Sequence, residues 1–249
     1  MPKKILLCLI VISCIFLSKR SRAQTSIGDT TGQQVALTRI TDAYNKAIGQ
    51  QSRLYNGQEH NPYSLNIQGT AYFSDVNGFN PGTVTYDGFF YKDVPMMYDL
   101  YKDVVVVLLY NKFSTYCLIN ERVQSFDLLN HHFVYIVADS LNVKAGINTG
   151  FYDQLYNSNN SAVLVKRSKS IQSTSSSNTI ETFFTSSKSF YLRKGNTYYS
   201  ISSQSSLLAI LKDKKKDLQQ YIRANKIKFR KAPEETMVAI VNRYDELSR

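Results

Sequence analysis

The segment Gly82–Tyr110, GTVTYDGFFYKDVPMMYDLYKDVVVVLLY, is the densest apolar stretch beyond the N-terminus, and it predicts consecutive β-strands. Asp87-Gly88 is a dipeptide typical of a type I′ hairpin turn. Val94–Leu100 alternates in the manner of a strand with one buried face. Val104–Leu109 is apolar at every position, which predicts a strand that is covered on both faces. We therefore expect an antiparallel sheet to form its core around this segment.

The rest of the chain extends this pattern. Roughly ten strand-like segments at spacings of about 8–12 residues predict a mainly β fold, an antiparallel β-meander that forms a barrel or a sandwich. Residues 65–202 make this β core, within which the polar stretch Ser168–Asn178 predicts a mobile hairpin loop. Residues 24–64 are predicted to be a leader with a helix over Val35–Ile48, and residues 203–249 to be helical. Both helical segments are expected to pack on a single β-rich domain, and the C-terminal helices to cover the second face of Val104–Leu109.

Residues 1–23 have the pattern of a signal peptide. Lys3 and Lys4 precede the apolar run Ile5–Leu17, and small residues at positions 21 and 23 predict cleavage before Gln24. The protein is therefore expected to be exported, and to be periplasmic or secreted. One alternative is a retained membrane anchor, and another is a lipoprotein anchored through Cys14.

The charge of the mature chain is moderate. The full chain carries a net charge of +11, and five basic residues but no acidic ones precede Gln24. The mature chain therefore has 25 basic and 19 acidic side chains, a net charge of +6. Export and this charge argue against nucleic acid as a partner. The run Lys212–Lys216 instead suggests weak contact with an anionic membrane surface.

Cysteine usage excludes a disulfide within the mature chain. Cys8 and Cys14 lie in the signal peptide, so Cys117 is left with no disulfide partner. Its neighbours Tyr116, Leu118 and Ile119 predict a buried, small apolar side chain rather than a nucleophile.

Several motifs together resemble a known group of proteins. They are Gly82-x-Val84-x-Tyr86-Asp87-Gly88, Tyr98-Asp99-Leu100, Gly150-Phe151-Tyr152 and the tail LLAILKDKKKDLQQYIRANKIKFRK at residues 207–231. The mature chain resembles an uncharacterised family of exported periplasmic or envelope proteins of Gram-negative bacteria with no assigned activity. The resemblance implies a shared fold and an envelope location, and it implies no functional residues.

Residues suited to catalysis are few. Asp99, inside a predicted strand, and His131 and His132 are the only candidates for acid–base work. Adjacent histidines on a strand point to opposite faces, and no H-x-x-H or H-E-x-x-H spacing occurs, so no metal site is predicted. The chain also lacks a G-x-S-x-G elbow, a P-loop and a dinucleotide fingerprint, so no cofactor is predicted.

Tyrosine is the commonest aromatic residue, with 18 copies, and the chain has no tryptophan. Tyr86, Tyr91 and Tyr98 are concentrated in the central segment and are candidates for stacking against a ligand such as a sugar or a peptide. The alternative is that tyrosine simply fits a half-buried sheet surface.

The sequence thus favours a non-enzymatic binding or assembly module of the cell envelope, whose partner would be an envelope component or a small ligand. The alternative is an envelope hydrolase that acts on glycans or other polymers through Asp99 and a histidine. An outer-membrane barrel is a third reading, against which the short strands and the amphipathic tail argue.

Overall fold

A computed structural model describes residues 53–139, 145–176 and 179–249, together with scattered positions between Gly32 and Ala47. Those scattered positions are helical, as predicted for Val35–Ile48, and the packing of that helix on the sheet stays a prediction. The signal peptide at residues 1–23 and Cys14 lie outside the described residues, so export and lipidation stay predictions as well.

The described residues form eleven strands in one sheet, and three helices follow the last strand. The strands are β1 Ile67–Gln68, β2 Asn80–Tyr86, β3 Phe89–Asp99, β4 Val104–Leu108, β5 Thr115–Cys117, β6 Val123–Leu128, β7 His131–Ile136, β8 Gly150–Asn157, β9 Ser161–Ser176, β10 Thr179–Lys194 and β11 Thr197–Ile201. The helices are α1 Gln204–Ile210, α2 Lys215–Ala224 and α3 Pro233–Leu247.

The sheet is open, so the predicted barrel is wrong. Its strand order is β1-β10-β9-β8-β7-β6-β2-β3-β4-β5, with β11 beside β1 on the outer side of β10. Strand β5 and the pair β1 and β11 lie at opposite edges and do not pair with each other. A sandwich of two separate sheets does not describe it either, because hydrogen bonds connect every strand into a single sheet.

The pairing is almost entirely antiparallel, as predicted. Two meanders, β2–β5 and β6–β11, are joined because β2 pairs with β6, and only β1 lies parallel to its neighbour β10. The turn between β2 and β3 is the predicted one, since Asp87 and Gly88 have φ values of 52° and 79°. Both values lie in the left-handed region that a type I′ turn requires.

The serine-rich segment is a strand, so the loop predicted for Ser168–Asn178 is wrong. Strand β9 continues to Ser176 and pairs residue by residue with β10, from Ser168 opposite Ser187 to Ser176 opposite Thr179. Hydroxyl groups form hydrogen bonds across the hairpin, for example Ser173 with Thr182 at 3.1 Å. Such cross-strand pairs stabilise this polar part of the hairpin, a contribution that composition alone does not reveal.

The central segment is covered on both faces, as predicted, but not by the helices. On one face Val105 and Val107 join a core cluster that includes Tyr98, Phe126, Phe133 and Phe151. On the other face Val106 packs against Tyr72 and Met97. The expectation that the C-terminal helices cover this strand was therefore wrong, because the segment before β2 occupies that position.

The C-terminal helices pack on a different part of the sheet, so the predicted helix-on-sheet packing is confirmed. Val163, Leu192 and Ile201 of the sheet form a core with nine buried residues of the helical segment: Leu207, Leu208, Leu211, Leu218, Ile222, Met237, Ile240, Val241 and Tyr244. Helix α1 begins at a capping box between Ser203 and Ser206, and α3 begins with Pro233 in its first turn. Among the described residues, no helix is long and apolar enough to cross a membrane.

Candidate functional site

Asp99 caps a tight turn and is fully buried. Its Oδ1 accepts the backbone N–H groups of Tyr101 and Lys102, both at 2.9 Å. Its Oδ2 accepts the Tyr63 hydroxyl at 2.6 Å and lies 3.5 Å from Nε2 of His60. Burial raises the pKa of Asp99, but the neighbouring His60 and the hydrogen bonds from Tyr63 and the two N–H groups outweigh it and lower the pKa. Because both oxygens are engaged and the residue is 0% exposed, this carboxylate shapes the turn between β3 and β4.

His131 and His132 do not join Asp99. Nδ1 of His131 lies 2.7 Å from the buried carboxylate of Asp153, whereas Nδ1 of His132 lies 2.6 Å from the exposed carboxylate of Asp127. The three predicted residues therefore contact three different partners, and the histidine beside Asp99 is His60. No group of three or more His, Cys, Asp and Glu side chains that could hold a metal ion occurs within the described residues.

The three tyrosines chosen for ligand stacking are in the core. Tyr86, Tyr91 and Tyr98 are 0%, 6% and 1% exposed. The ring of Tyr98 packs edge-on against the core phenylalanines, and its hydroxyl donates to Asp103 at 2.5 Å. A stacking surface needs an accessible ring face, so the structure contradicts this prediction and supports the alternative of sheet packing. Most of the exposed aromatic rings among the described residues lie instead in or beside turns between strands; the exposed rings are Tyr44, Phe89, Phe90, Tyr101, Tyr110 and Phe113.

Cys117 lies on β5 as a free, half-buried thiol. Burial raises the pKa of this thiol and outweighs the opposite effect of Lys102, and nearby Asp99 adds a smaller rise. A raised pKa disfavours the thiolate, which is the nucleophilic form. The structure thus agrees with the prediction of an unactivated, largely apolar side chain.

A buried ion network fastens α3 to the sheet. The guanidinium of Arg167 on β9 donates to Asp153 at 2.7 Å and makes two parallel hydrogen bonds to Glu234, at 3.0 Å and 2.7 Å. Lys188 donates to the same Glu234 carboxylate at 2.7 Å. Burial lowers the pKa of Arg167, but its contacts with Glu234 and Asp153 outweigh this and raise the pKa above its ordinary value. Every acidic group of this network faces a cation, which is typical of a structural connection rather than an open reactive centre.

Two more lysines of β9 contact the turn between β3 and β4. Lys166 donates to Asp103 at 2.6 Å and to the Phe151 carbonyl at 3.0 Å. Lys169 is 8% exposed, and its backbone N–H donates to the Leu100 carbonyl at 3.1 Å. Through the Lys166 ammonium and the Lys169 backbone N–H, β9 is joined to the turn between β3 and β4, which is distant from β9 in the strand order.

The Arg167 network predicts an acid-sensitive contribution to stability. Burial raises the pKa of Glu234, but Arg167 and Lys188 outweigh it and lower this pKa from 4.5 to about 2. The depressed value means that the contribution is complete above about pH 4.5 and is lost as the pH falls toward 2. In urea denaturation between pH 2 and 6, Glu234→Gln should lower the free energy of unfolding at pH 6 but make little difference near pH 2. Parallel pH curves for the two proteins would contradict this.

The strongest surface feature is a basic segment, which we define as Lys212–Lys231. It contains nine lysine and arginine residues and two aspartates, a net charge of +7 over 20 residues. The rest of residues 24–249 carries 16 basic and 17 acidic side chains, a net charge of −1. The entire positive excess of residues 24–249 therefore resides in α2, the turn before it and the connection to α3.

The cations of the basic segment are available for an external partner. Eight of the nine side chains are exposed, and Lys214 is half-buried. None of the nine takes part in an ion pair or a side-chain hydrogen bond with any described residue; they are Lys212, Lys214, Lys215, Lys216, Arg223, Lys226, Lys228, Arg230 and Lys231. By contrast, the β9 cations Lys166, Arg167 and Lys169 all have carboxylate partners.

The basic segment has a fixed position on the protein. Leu218 and Ile222 bury the opposite face of α2 in the helical core, and Ile227 and Phe229 of the α2–α3 connection pack against the same core. The sequence identified only the first five positions as a charged run. Apolar anchors are spaced between the cations as far as Lys231. This periodicity could have predicted from the sequence that the basic segment continues to Lys231.

The described residues therefore offer a basic surface segment held by apolar anchors, and they bring none of the proposed catalytic groups together. Such a face can hold anions by charge and by hydrogen bonds from ammonium and guanidinium groups. No family model, curated protein or solved structure matches this chain.

Proposed function

We propose that this protein is an exported, non-enzymatic binding module that docks on the anionic surface of a bacterial membrane through its basic segment. The observation that carries the proposal is the separation of charge, with +7 on Lys212–Lys231 and −1 on the rest of the mature chain. The family resemblance at the level of sequence motifs supports an envelope location. No observation favours the alternative hydrolase, since Asp99, His131 and His132 have separate partners.

The physics of anionic surfaces fits this arrangement. Each lysine or arginine near such a surface contributes about 1 kcal/mol, and the attraction falls off within a Debye length of about 8 Å at physiological salt. Several cations on one face are therefore needed, and the same number scattered over a protein would act weakly. The fixed apolar side of α2 keeps the cations together without a cost in ordering the segment on binding.

Vesicle binding tests the proposal. The variant Lys215→Gln/Lys216→Gln should bind vesicles of phosphatidylcholine with 30% phosphatidylglycerol at least about tenfold more weakly than the wild type, given the contribution per cation. Cosedimentation at several salt concentrations measures this. Binding of the wild type should fall steeply with salt, and vesicles of pure phosphatidylcholine should not bind.

A matched variant distinguishes a localised face from total charge. Lys92→Gln/Lys112→Gln removes the same charge from two exposed lysines outside the basic segment. It should bind the anionic vesicles within about twofold of the wild type, because those lysines lie on hairpins away from α2. An equal loss of binding in the two double variants would contradict docking through Lys212–Lys231.

A further inference from the structure

A pocket of about 460 Å³ lies where the α2–α3 connection meets the first turns of α3. Lys226, Lys228 and Lys231 line it together with Glu235 and Thr236, and its apolar wall consists of Ile227, Ala232 and Ala239. Its volume is within the usual range for small-ligand sites. The pocket is thus a concave site within the basic face.

Thr236 is the least expected residue of this pocket. Thr236 as a whole residue is only 5% exposed. Its hydroxyl makes no hydrogen bond with any described residue. The carbonyl of Ala232, which a helical threonine often uses, accepts the Thr236 backbone N–H at 3.0 Å. The hydroxyl is therefore free to donate to a group that enters the pocket, while the rest of the residue is held in the packed start of α3.

The electrostatics of the pocket favour an anion. None of its three lysines has an ion-pair partner among the described residues, and Glu235 is the single acidic side chain in its lining. The other acid of this turn, Glu234, is held by Arg167 and Lys188. Helix α3 is 15 residues long, and its N-cap residue Ala232 has no side chain that could accept hydrogen bonds from the first turn. The free N–H groups add to the positive potential of the lysines.

We infer that this pocket binds a phosphate monoester carried by a membrane lipid. A monoester presents three terminal oxygens and nearly two negative charges, and three ammonium groups with one hydroxyl can donate to all of them. A phosphodiester such as phosphatidylglycerol has two free oxygens and one charge, so it would leave donors unpaired. The inference rests on the proposed membrane docking and adds to it a preference for one headgroup.

The test compares two lipids at equal surface charge. Vesicles of phosphatidylcholine with phosphatidic acid or with phosphatidylglycerol are matched by their measured zeta potential. The wild type should bind the phosphatidic acid vesicles about tenfold more tightly, the usual effect of a hydrogen bond to a charged group. Thr236→Val should remove this preference and leave phosphatidylglycerol binding unchanged, whereas Thr236→Ser keeps a hydroxyl and should retain it. Thermal unfolding of both variants verifies that the fold is intact.

The outcomes separate this inference from the proposed function. Equal binding of the wild type to both lipids, or an unchanged preference in Thr236→Val, would overturn the pocket inference while docking by charge stands. Failure to bind either vesicle would overturn the proposed function itself. In a parallel NMR titration, saturable shifts at Thr236 with inorganic phosphate, combined with equal binding to the two lipids, would indicate a free phosphate compound and overturn the lipid assignment.

Discussion

A chain that ends at Ser203 is expected not to reach a stable folded state. The deletion removes nine residues that are buried in the helical core, and it uncovers Val163, Leu192 and Ile201 on the sheet. It also removes Glu234 from Arg167 and Asp245 from Ser161, whose hydroxyl donates to that carboxylate at 2.8 Å. Each uncovered aliphatic side chain costs about 1.5–3 kcal/mol, against a total stability of about 5–15 kcal/mol.

The exposed region differs from the one that the sequence suggested. Strand β4 keeps Tyr72 and Met97 on its second face, so Val106 stays covered without the helices. The newly exposed apolar surface lies on β8–β11, where the helices pack, and the resulting loss of stability affects the whole sheet. Hydrogen exchange of the truncated chain should therefore show the greatest loss of protection in β9 and β10.

Thermal unfolding followed by circular dichroism, with dye binding to exposed apolar surface, measures the effect. The truncated chain should lack a cooperative transition, bind the dye and associate in gel filtration. A control that removes only Ser248 and Arg249 should unfold like the full chain, since neither residue belongs to the core. A truncated monomer that melts within a few degrees of the full chain would contradict the packing described here.

Local chemistry explains which parts of the fold the sequence could predict. The left-handed turn at Asp87-Gly88, the all-apolar strand Val104–Leu108 and the proline at the start of α3 depend on residues close together in the chain. Each is determined by steric preference or by a pattern of burial, so it appears in the sequence. Closure of the sheet depends on the relation between its two edges, and no local pattern encodes that.

The side-chain clusters were harder to predict, because their members lie far apart in the chain. Asp99 uses His60, which is 39 residues away, rather than the adjacent pair at 131 and 132. The tyrosines of the central segment proved to be core residues, since a tyrosine hydroxyl can be buried where it finds a partner such as Asp103. The lysine run was the exception, because unpaired charges on a continuous surface segment need no distant partner.

Replacement of Arg167 by methionine is expected to destabilise the protein by about 3–5 kcal/mol, the usual cost of removing one partner from a buried ion pair. Arg167 is 6% exposed and Asp153 is 1% exposed. Without the guanidinium, the Asp153 carboxylate keeps only its contact with His131, and its Oδ1 has no partner even in the wild type. Glu234 keeps only Lys188, so the start of α3 loses its strongest connection to the sheet.

Substitution by lysine gives a graded test of the same network. Arg167→Lys keeps the positive charge, but an ammonium cannot reproduce the forked hydrogen bonds that reach Asp153 and both oxygens of Glu234. We expect the stability of Arg167→Lys to lie between that of the wild type and that of the methionine variant. Arg243→Met is the matched control, because Arg243 on α3 has exposed contacts: an ion pair with Glu246, in which both side chains are more than 40% exposed, and a guanidinium 5.9 Å from the centre of the Tyr221 ring. Its effect should be below about 1 kcal/mol.

A double-mutant cycle shows whether the buried charge itself causes the loss. Asp153→Asn removes the carboxylate charge that Arg167→Met would leave unpaired, so the double variant should lose less stability than the sum of the two single variants. The expected coupling free energy is about 1–3 kcal/mol, measured by urea denaturation at neutral pH. Additive losses would mean that Arg167 and Asp153 are not coupled, and that Arg167 acts through Glu234 and through the packing of its aliphatic stem. A methionine variant as stable as the wild type would show that Glu234 and Asp153 do not depend on this guanidinium, and that the helical core alone holds α3 on the sheet.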